Sequence, residues 1–192
     1  LWDTKLETPR CTQEIRSKSA VISMNFTTDG QQLVISLYAD SQGVQIWEVD
    51  ADDRWQLRSG YRIPTEGLAS LSPNNSLLAT CTPDGEIHLW NMQTLKPKAG
   101  ISRLIGHSGY VNRVAFTAEG QTVASCGSDL TVRLWHLATG EEIQRIPGYS
   151  NNTCLAINAQ DTLLACSSPN FGIALWPLDR TSTQPLRQLI GH

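Results

Sequence analysis

Residues 104–135 read LIGHSGYVNRVAFTAEGQTVASCGSDLTVRLW. The opening Leu104-Ile105-Gly106-His107 returns as Leu189-Ile190-Gly191-His192. The closing Leu134-Trp135 returns as Leu1-Trp2, Ile46-Trp47, Leu89-Trp90 and Leu175-Trp176. These five tryptophans stand 45, 43, 45 and 41 residues apart. A period of this size marks an array of small repeated units. Inside each unit, short runs of alternating apolar residues are separated by turn residues, the pattern of short antiparallel strands.

The period divides the chain into units of about 18–62, 63–106, 107–148 and 149–190, with partial units at 1–17 and 191–192. In the third unit, strands are expected at Val111 to Phe116, Thr122 to Cys126, Thr131 to Trp135 and near Glu142 to Ile146. Turns fall at Glu119-Gly120 and Ser128-Asp129. The second unit repeats this at Leu68 to Leu71, Leu77 to Cys81 and Ile87 to Trp90, then a Pro97-containing loop and an outer strand at Ile101 to Ile105. The fourth offers Cys154 to Ile157, Thr162 to Ser167, Phe171 to Trp176 and Leu186 to Leu189. In the first, Val21 to Phe26 and Leu33 to Tyr38 flank the Asp29-Gly30 turn, followed by Val44 to Trp47 and the region of Trp55. The first unit is two residues longer before its tryptophan, which places an atypical turn near Asp40 to Gly43.

A Gly-His pair, two apolar strands, an Asp in a tight turn and a closing Trp resemble the WD40 repeat, and the resemblance runs through the whole chain. In that family each repeat is a four-stranded blade of a β-propeller. The resemblance therefore implies an all-β chain of about four complete blades with partial blades at both ends. That is a fragment whose neighbours are the rest of its own propeller upstream and downstream. The chain starts mid-repeat, so more sequence is expected before Leu1. The residue after Trp is Asp only at Asp3; Glu48, Asn91, His136 and Pro177 stand in the other units.

Composition excludes several classes. Fifteen Lys and Arg against 18 Asp and Glu give a net charge of −3 with no basic cluster, which speaks against nucleic acid. No apolar run approaches the ~18 residues of a membrane helix. Four histidines lack companions at ligand spacing, so neither a metal nor a cofactor is expected. Five cysteines, with no C-x-x-C, leave an odd thiol in any disulfide scheme. Cys81 and Cys126 differ by one repeat and read as small buried hydrophobes, which fits a reducing cytoplasm.

One constellation suggests chemistry. Ser125, His107 and Asp129 have the composition of a hydrolase triad, with Trp135 nearby. The family resemblance implies instead a buried hydrogen-bonded set of His, Ser or Thr, Asp and Trp. Donor and acceptor capacities support that order: an indole only donates, a hydroxyl does both, and a neutral imidazole links the hydroxyl to a carboxylate. The set recurs in reduced form as Thr80, Asp84 and Trp90, with Arg62 under His107. It recurs again as Cys166, Asn170 and Trp176, with Gly148-Tyr149 in the Gly-His place, whereas the first unit keeps only Trp47. Recurrence with the period marks a scaffold feature. His88 aligns with Arg133 and Gln45, a position open to any polar side chain, and His136 is expected on the surface.

The resemblance also implies a partner-binding face, where the loops before each first strand meet the second-to-third-strand turns. By position it carries Thr65 and Gly67, then Tyr110, Asn112 and Ser128, then Asn151, Thr153 and Pro169. Of these only Tyr110 is an aromatic anchor. The expected function is a protein-interaction scaffold without catalysis, with a protein or peptide partner. An alternative is a regulatory or sensor module of a larger signalling protein whose catalytic domain lies elsewhere. A hydrolase built on Ser125, His107 and Asp129 ranks last.

Overall fold

The computed structural model describes residues 2–3, 10–11, 13–15, 19–37, 43–58, 63, 68–147, 154–168, 172–179, 181–182 and 184–190. All of its regular structure is β. A short pair, β1 (Trp2–Asp3) and β2 (Arg10–Cys11), precedes four four-stranded antiparallel meanders. The first blade comprises β3 (Val21–Phe26), β4 (Gln32–Leu37), β5 (Val44–Val49) and β6 (Trp55–Leu57). The second comprises β7 (Ala69–Leu71), β8 (Leu77–Cys81), β9 (Glu86–Asn91) and β10 (Arg103–Ile105). The third comprises β11 (Val111–Phe116), β12 (Thr122–Gly127), β13 (Thr131–His136) and β14 (Glu142–Pro147). The fourth comprises β15 (Leu155–Ile157), β16 (Leu163–Ser167), β17 (Ile173–Pro177) and β18 (Arg187–Leu189).

The strands agree with the repeat pattern to within a residue or two. The outer strand of the second blade is the main difference. It is confined to Arg103–Ile105, because the chain first crosses β9 through an isolated Trp90–Pro97 bridge and then detours through the loop at Ala99 to Ile101. The expected turn at Asp40 to Gly43 lies mostly outside the described residues; Gly43 itself is left-handed, with φ of 56°.

Side chains alternate between the two faces of a strand, and here both faces are apolar. On β12, Val123 packs with Trp135 toward the second blade, whereas Ala124 and Cys126 pack with Val132 and Leu134 toward the fourth. Every residue of β12 is buried as a result. A third seam joins the first two blades through Val34, Ile46, Ile63, Leu78 and Met92. The core is thus a series of inter-blade seams rather than one centre. The inner strands β3 and β11 each carry a register shift against their partners, at the equivalent places Val21/Ser23 and Val111/Arg113.

On the outward face of the fourth blade the aliphatic side chains are less covered by the described residues. Ile173 is 39% exposed, whereas Val132, its counterpart on β13, is fully buried against the next blade. Burying a branched aliphatic side chain is worth about 1.5–3 kcal/mol. We therefore expect Val132→Ala to cost about 2 kcal/mol in chemical unfolding, and Ile173→Ala less than about 1 kcal/mol. Sedimentation of the chain at rising concentration should also show association through this face, reduced by Ile173→Lys.

Candidate functional site

The third blade assembles one continuous polar chain at the end where its leading loop meets the β12–β13 turn. Trp135 Nε1 donates to Ser125 Oγ at 2.8 Å, and Ser125 Oγ lies 2.7 Å from His107 Nε2. His107 Nδ1 faces both oxygens of Asp129, at 2.9 and 3.0 Å. With Trp donating to the hydroxyl, the hydroxyl proton goes to Nε2, and the imidazole proton on Nδ1 goes to the carboxylate. Asp129 also accepts from Ser108 N, Thr131 N and Oγ1, and Arg133 Nη2. Arg133 is itself buried and reaches across to Glu142 at 2.8 Å, and Arg145 closes the row on Glu142.

Packing explains why this blade holds the set. A Cβ on Gly106 would meet Arg133 Nη1 at 2.7 Å and the Trp135 ring at 2.9 Å. Only glycine lets the leading loop lie that close, which brings His107 over Ser125. The Arg133 position therefore does more than tolerate any polar side chain. Its guanidinium ties the turn to the outer strand, a role that alignment with His88 and Gln45 concealed. His88 pairs instead with Glu86 at 2.8 Å, and Gln45 accepts from Trp47 Nε1 at 3.2 Å.

The set thins out in the other blades. Trp90 donates to Thr80 Oγ1 at 3.0 Å, but Asp84 is exposed in its turn, its carboxyl lowered first by a hydrogen bond from Thr82. In the fourth blade the indole nitrogen of Trp176 is buried with no oxygen or nitrogen partner among the described residues. Beside it lies the thiol of Cys166, a weak acceptor. In the first blade strand register puts Ile35 in the Ser125 place, and Gln45 supplies the acceptor instead. Arg62, Gly148, Tyr149 and Asn170 lie outside the described residues.

Electrostatics follow burial. Desolvation raises the Asp129 carboxyl, but hydrogen bonds from His107, Thr131 and Ser108 outweigh it and hold the group well below the usual carboxylate range. Desolvation also lowers His107, against the pull of Asp129, so the ring is held neutral. Ser125 is fully buried, and its hydroxyl is engaged by both Trp135 and His107. Burial pushes the Cys126 thiol up to about 12 and Cys166 to about 11, which leaves both without thiolate at neutral pH.

Of the proposed partner face, Tyr110 is 59% exposed, Ser128 is half-buried, and Asn112 sits half-buried at the β11 bulge. Thr65, Gly67, Asn151, Thr153 and Pro169 lie outside the described residues. Sequence reasoning missed Leu130, which is 43% exposed in the β12–β13 turn with φ of +61°. A left-handed leucine costs roughly 1–2 kcal/mol. Its signal was the place itself, since the second blade has Gly85 there, with φ of +90°. His136, expected on the surface, is half-buried against the Thr139 hydroxyl at 3.2 Å.

Two outcomes are expected. Ser125→Ala strands the indole and imidazole nitrogens and should cost about 1–3 kcal/mol, whereas Ser125→Thr, which matches Thr80, should cost under about 1 kcal/mol. Chemical denaturation reads both. The second outcome concerns pH. His107 and Asp129 are both lowered on folding, so the unfolded chain binds more protons and stability is lost on acidification. The loss should begin near the ordinary His value of ~6.5 and continue below the ordinary Asp value of ~3.9. His107→Asn should flatten the first part of the curve and weaken the second, which Thr131 and Ser108 still support.

Comparison with known proteins agrees with this geometry. The family described as WD domain, G-beta repeat matches residues 61–91 and 100–136. The chain is 27% identical to apoptotic protease-activating factor 1 of Danio rerio, over 87% of this chain and 13% of that protein. It is 28% identical to DDB1- and CUL4-associated factor 13 of Dictyostelium discoideum, over 62% of this chain and 28% of that one. It is 29% identical to a WD repeat-containing protein 26 homolog of Arabidopsis thaliana, over 96% of this chain and 31% of that one. The chain thus spans less than a third of the length of each of these relatives. The matched stretches, 61–91 and 100–136, are thus similar to WD40 repeats, and the four-stranded antiparallel meanders in series are consistent with propeller blades.

Proposed function

We propose that this chain is a protein-interaction scaffold with no chemistry of its own, and that the rim of the third blade is its contact surface. The observation that carries the reading is Leu130, an apolar side chain held exposed in a left-handed turn where glycine would relieve the strain. Strain of this kind persists where the surroundings hold it, and it concentrates at binding sites. Tyr110 belongs to the loop that meets this turn, since Ser128 N donates to Tyr110 O at 2.8 Å. The same turn is pinned from below by Asp129 on His107 and Arg133. Two apolar side chains are therefore presented on a rigid support, so little ordering cost opposes binding. A peptide-like, partly apolar segment fits such a rim.

Relatives support the reading in kind. One is named for association with two other proteins, DDB1 and CUL4, which is assembly rather than catalysis. The short share of each relative that this chain covers also favours a second reading, a regulatory module within a larger protein. The two readings are compatible, since such a module acts by binding. Buried, unreactive thiols at Cys81, Cys126 and Cys166 fit a reducing compartment such as the cytoplasm.

Tyr110→Ala should weaken partner capture by about 2 kcal/mol with the melt unchanged. Leu130→Gly should separate stability from binding, holding or raising stability by up to about 1 kcal/mol while weakening capture. Quantitative pull-down beside thermal melts decides both, and unaltered recovery with both variants would remove this rim from consideration. Specific labelling of Ser125 in the folded chain by a serine-directed phosphonate would overturn the absence of catalysis.

A further inference from the structure

The opposite end of the blades carries a second periodic device. The turns joining first to second strands, at 27–30, 72–75, 117–120 and 158–161, share one local design. Thr27, Ser72, Thr117 and Asn158 each accept, through the side chain, the backbone N–H five residues on, at 2.9, 2.9, 3.2 and 2.8 Å. In each turn the N–H of the fourth residue returns to the carbonyl of the first. That fourth residue is left-handed in all four blades: Gly30 at φ 71°, Asn75 at 57°, Gly120 at 69° and Asp161 at 53°. Glycine adopts this conformation without strain, and two blades use it. The other two carry side chains that reach back to the preceding blade.

Those side chains suit the donors they meet. Asn75 lies over Thr28, which offers one N–H and one hydroxyl. Its Oδ1 accepts Thr28 N at 3.3 Å, and its Nδ2 donates to Thr28 Oγ1 at 2.6 Å. Asp161 lies over Ala118 and Glu119, which offer two N–H groups and no hydroxyl. Its two oxygens accept one each, at 2.7 and 3.0 Å. Gly120 lies over Pro73, which has no N–H, and a Cβ there would sit 3.6 Å from Pro73 Cδ. An amide meets a donor and an acceptor, a carboxylate meets two donors, and no side chain meets the residue that offers no donor.

We propose that Asn75 and Asp161, the left-handed residues of two first hairpin turns, are inter-blade latches, each side chain matched to the turn of the preceding blade, which fixes the register of successive blades. Asp161 and Glu119 also line the cleft of about 200 Å³ between the third and fourth blades, so the latch closes one wall of it. An Asx residue chosen only as a cheap turn former would instead be indifferent to what lies opposite.

Amide hydrogen exchange of the full chain, resolved to single residues, tests the latch, with strands β4 and β8 as the control for global folding. Asp161→Gly keeps the turn conformation and removes the carboxylate, so the amides of Ala118 and Glu119 should exchange about tenfold faster while β4 and β8 stay unchanged. Asp161→Asn offers one acceptor in place of two, so only one of the two amides should be released. The middle pair provides the reverse test. Gly120→Asp combined with Pro73→Ala should protect the introduced amide about tenfold over Pro73→Ala alone. Wild-type exchange at Ala118 and Glu119 in Asp161→Gly would overturn the proposal. So would an Asp161→Asn variant identical to wild type, or a combined variant no more protected than Pro73→Ala.

Discussion

A four-stranded sheet with apolar side chains on both faces can bury them only against other sheets. That constraint governs this molecule. β12 is buried along its whole length because the second blade covers Val123 and the fourth covers Ala124 and Cys126. Stability is therefore held in the seams, each owned jointly by two blades, as in other repeat architectures. Where the described residues do not cover a face, as at Ile173, the side chain stays partly in water.

Polar groups inside such a seam have few partners, and the four blades meet that difficulty in four ways. The third satisfies its indole with Ser125, His107 and Asp129 in series, and the second stops at Thr80. The first takes Gln45 from the tryptophan's own strand, and the fourth leaves Trp176 with a sulfur neighbour. An unmet buried N–H costs on the order of 1–3 kcal/mol. The indole of the third blade is thus the most completely paired and that of the fourth the least. The rim loops that hold Tyr110 and Leu130 belong to the blade best able to keep them still.

Much of this was legible because the informative residues repeat. The tryptophans fix the period, and Ser125 and Thr80 stand ten residues before theirs with turn residues at constant offsets, so strands and seams follow by alternation. Arg133 was not legible. Its alignment with His88 and Gln45 suggested a variable surface place, and only the approach of Gly106 and the cross-strand position of Glu142 bury it. Asp84 misled for the converse reason. It matches Asp129 in sequence, but a carboxylate joins the network only when a histidine lies above it; otherwise it stays in solvent with Thr82. Leu130 is invisible to hydrophobic pattern because its meaning lies in its φ.

The two ends of a blade do different work, and the strand order shows why both are held. The leading loop and the β12–β13 turn share one end, where the His107 network ties a blade to itself. The first hairpin turns lie at the other end, where Asn75 and Asp161 tie a blade to the one before. Seams of small aliphatic side chains resist separation but resist sliding poorly, because burial is non-directional. Directional hydrogen bonds at the far end supply what the seam lacks. With register set there and the turn fixed by Asp129 here, a side chain on the rim inherits its position from both ends of the blade.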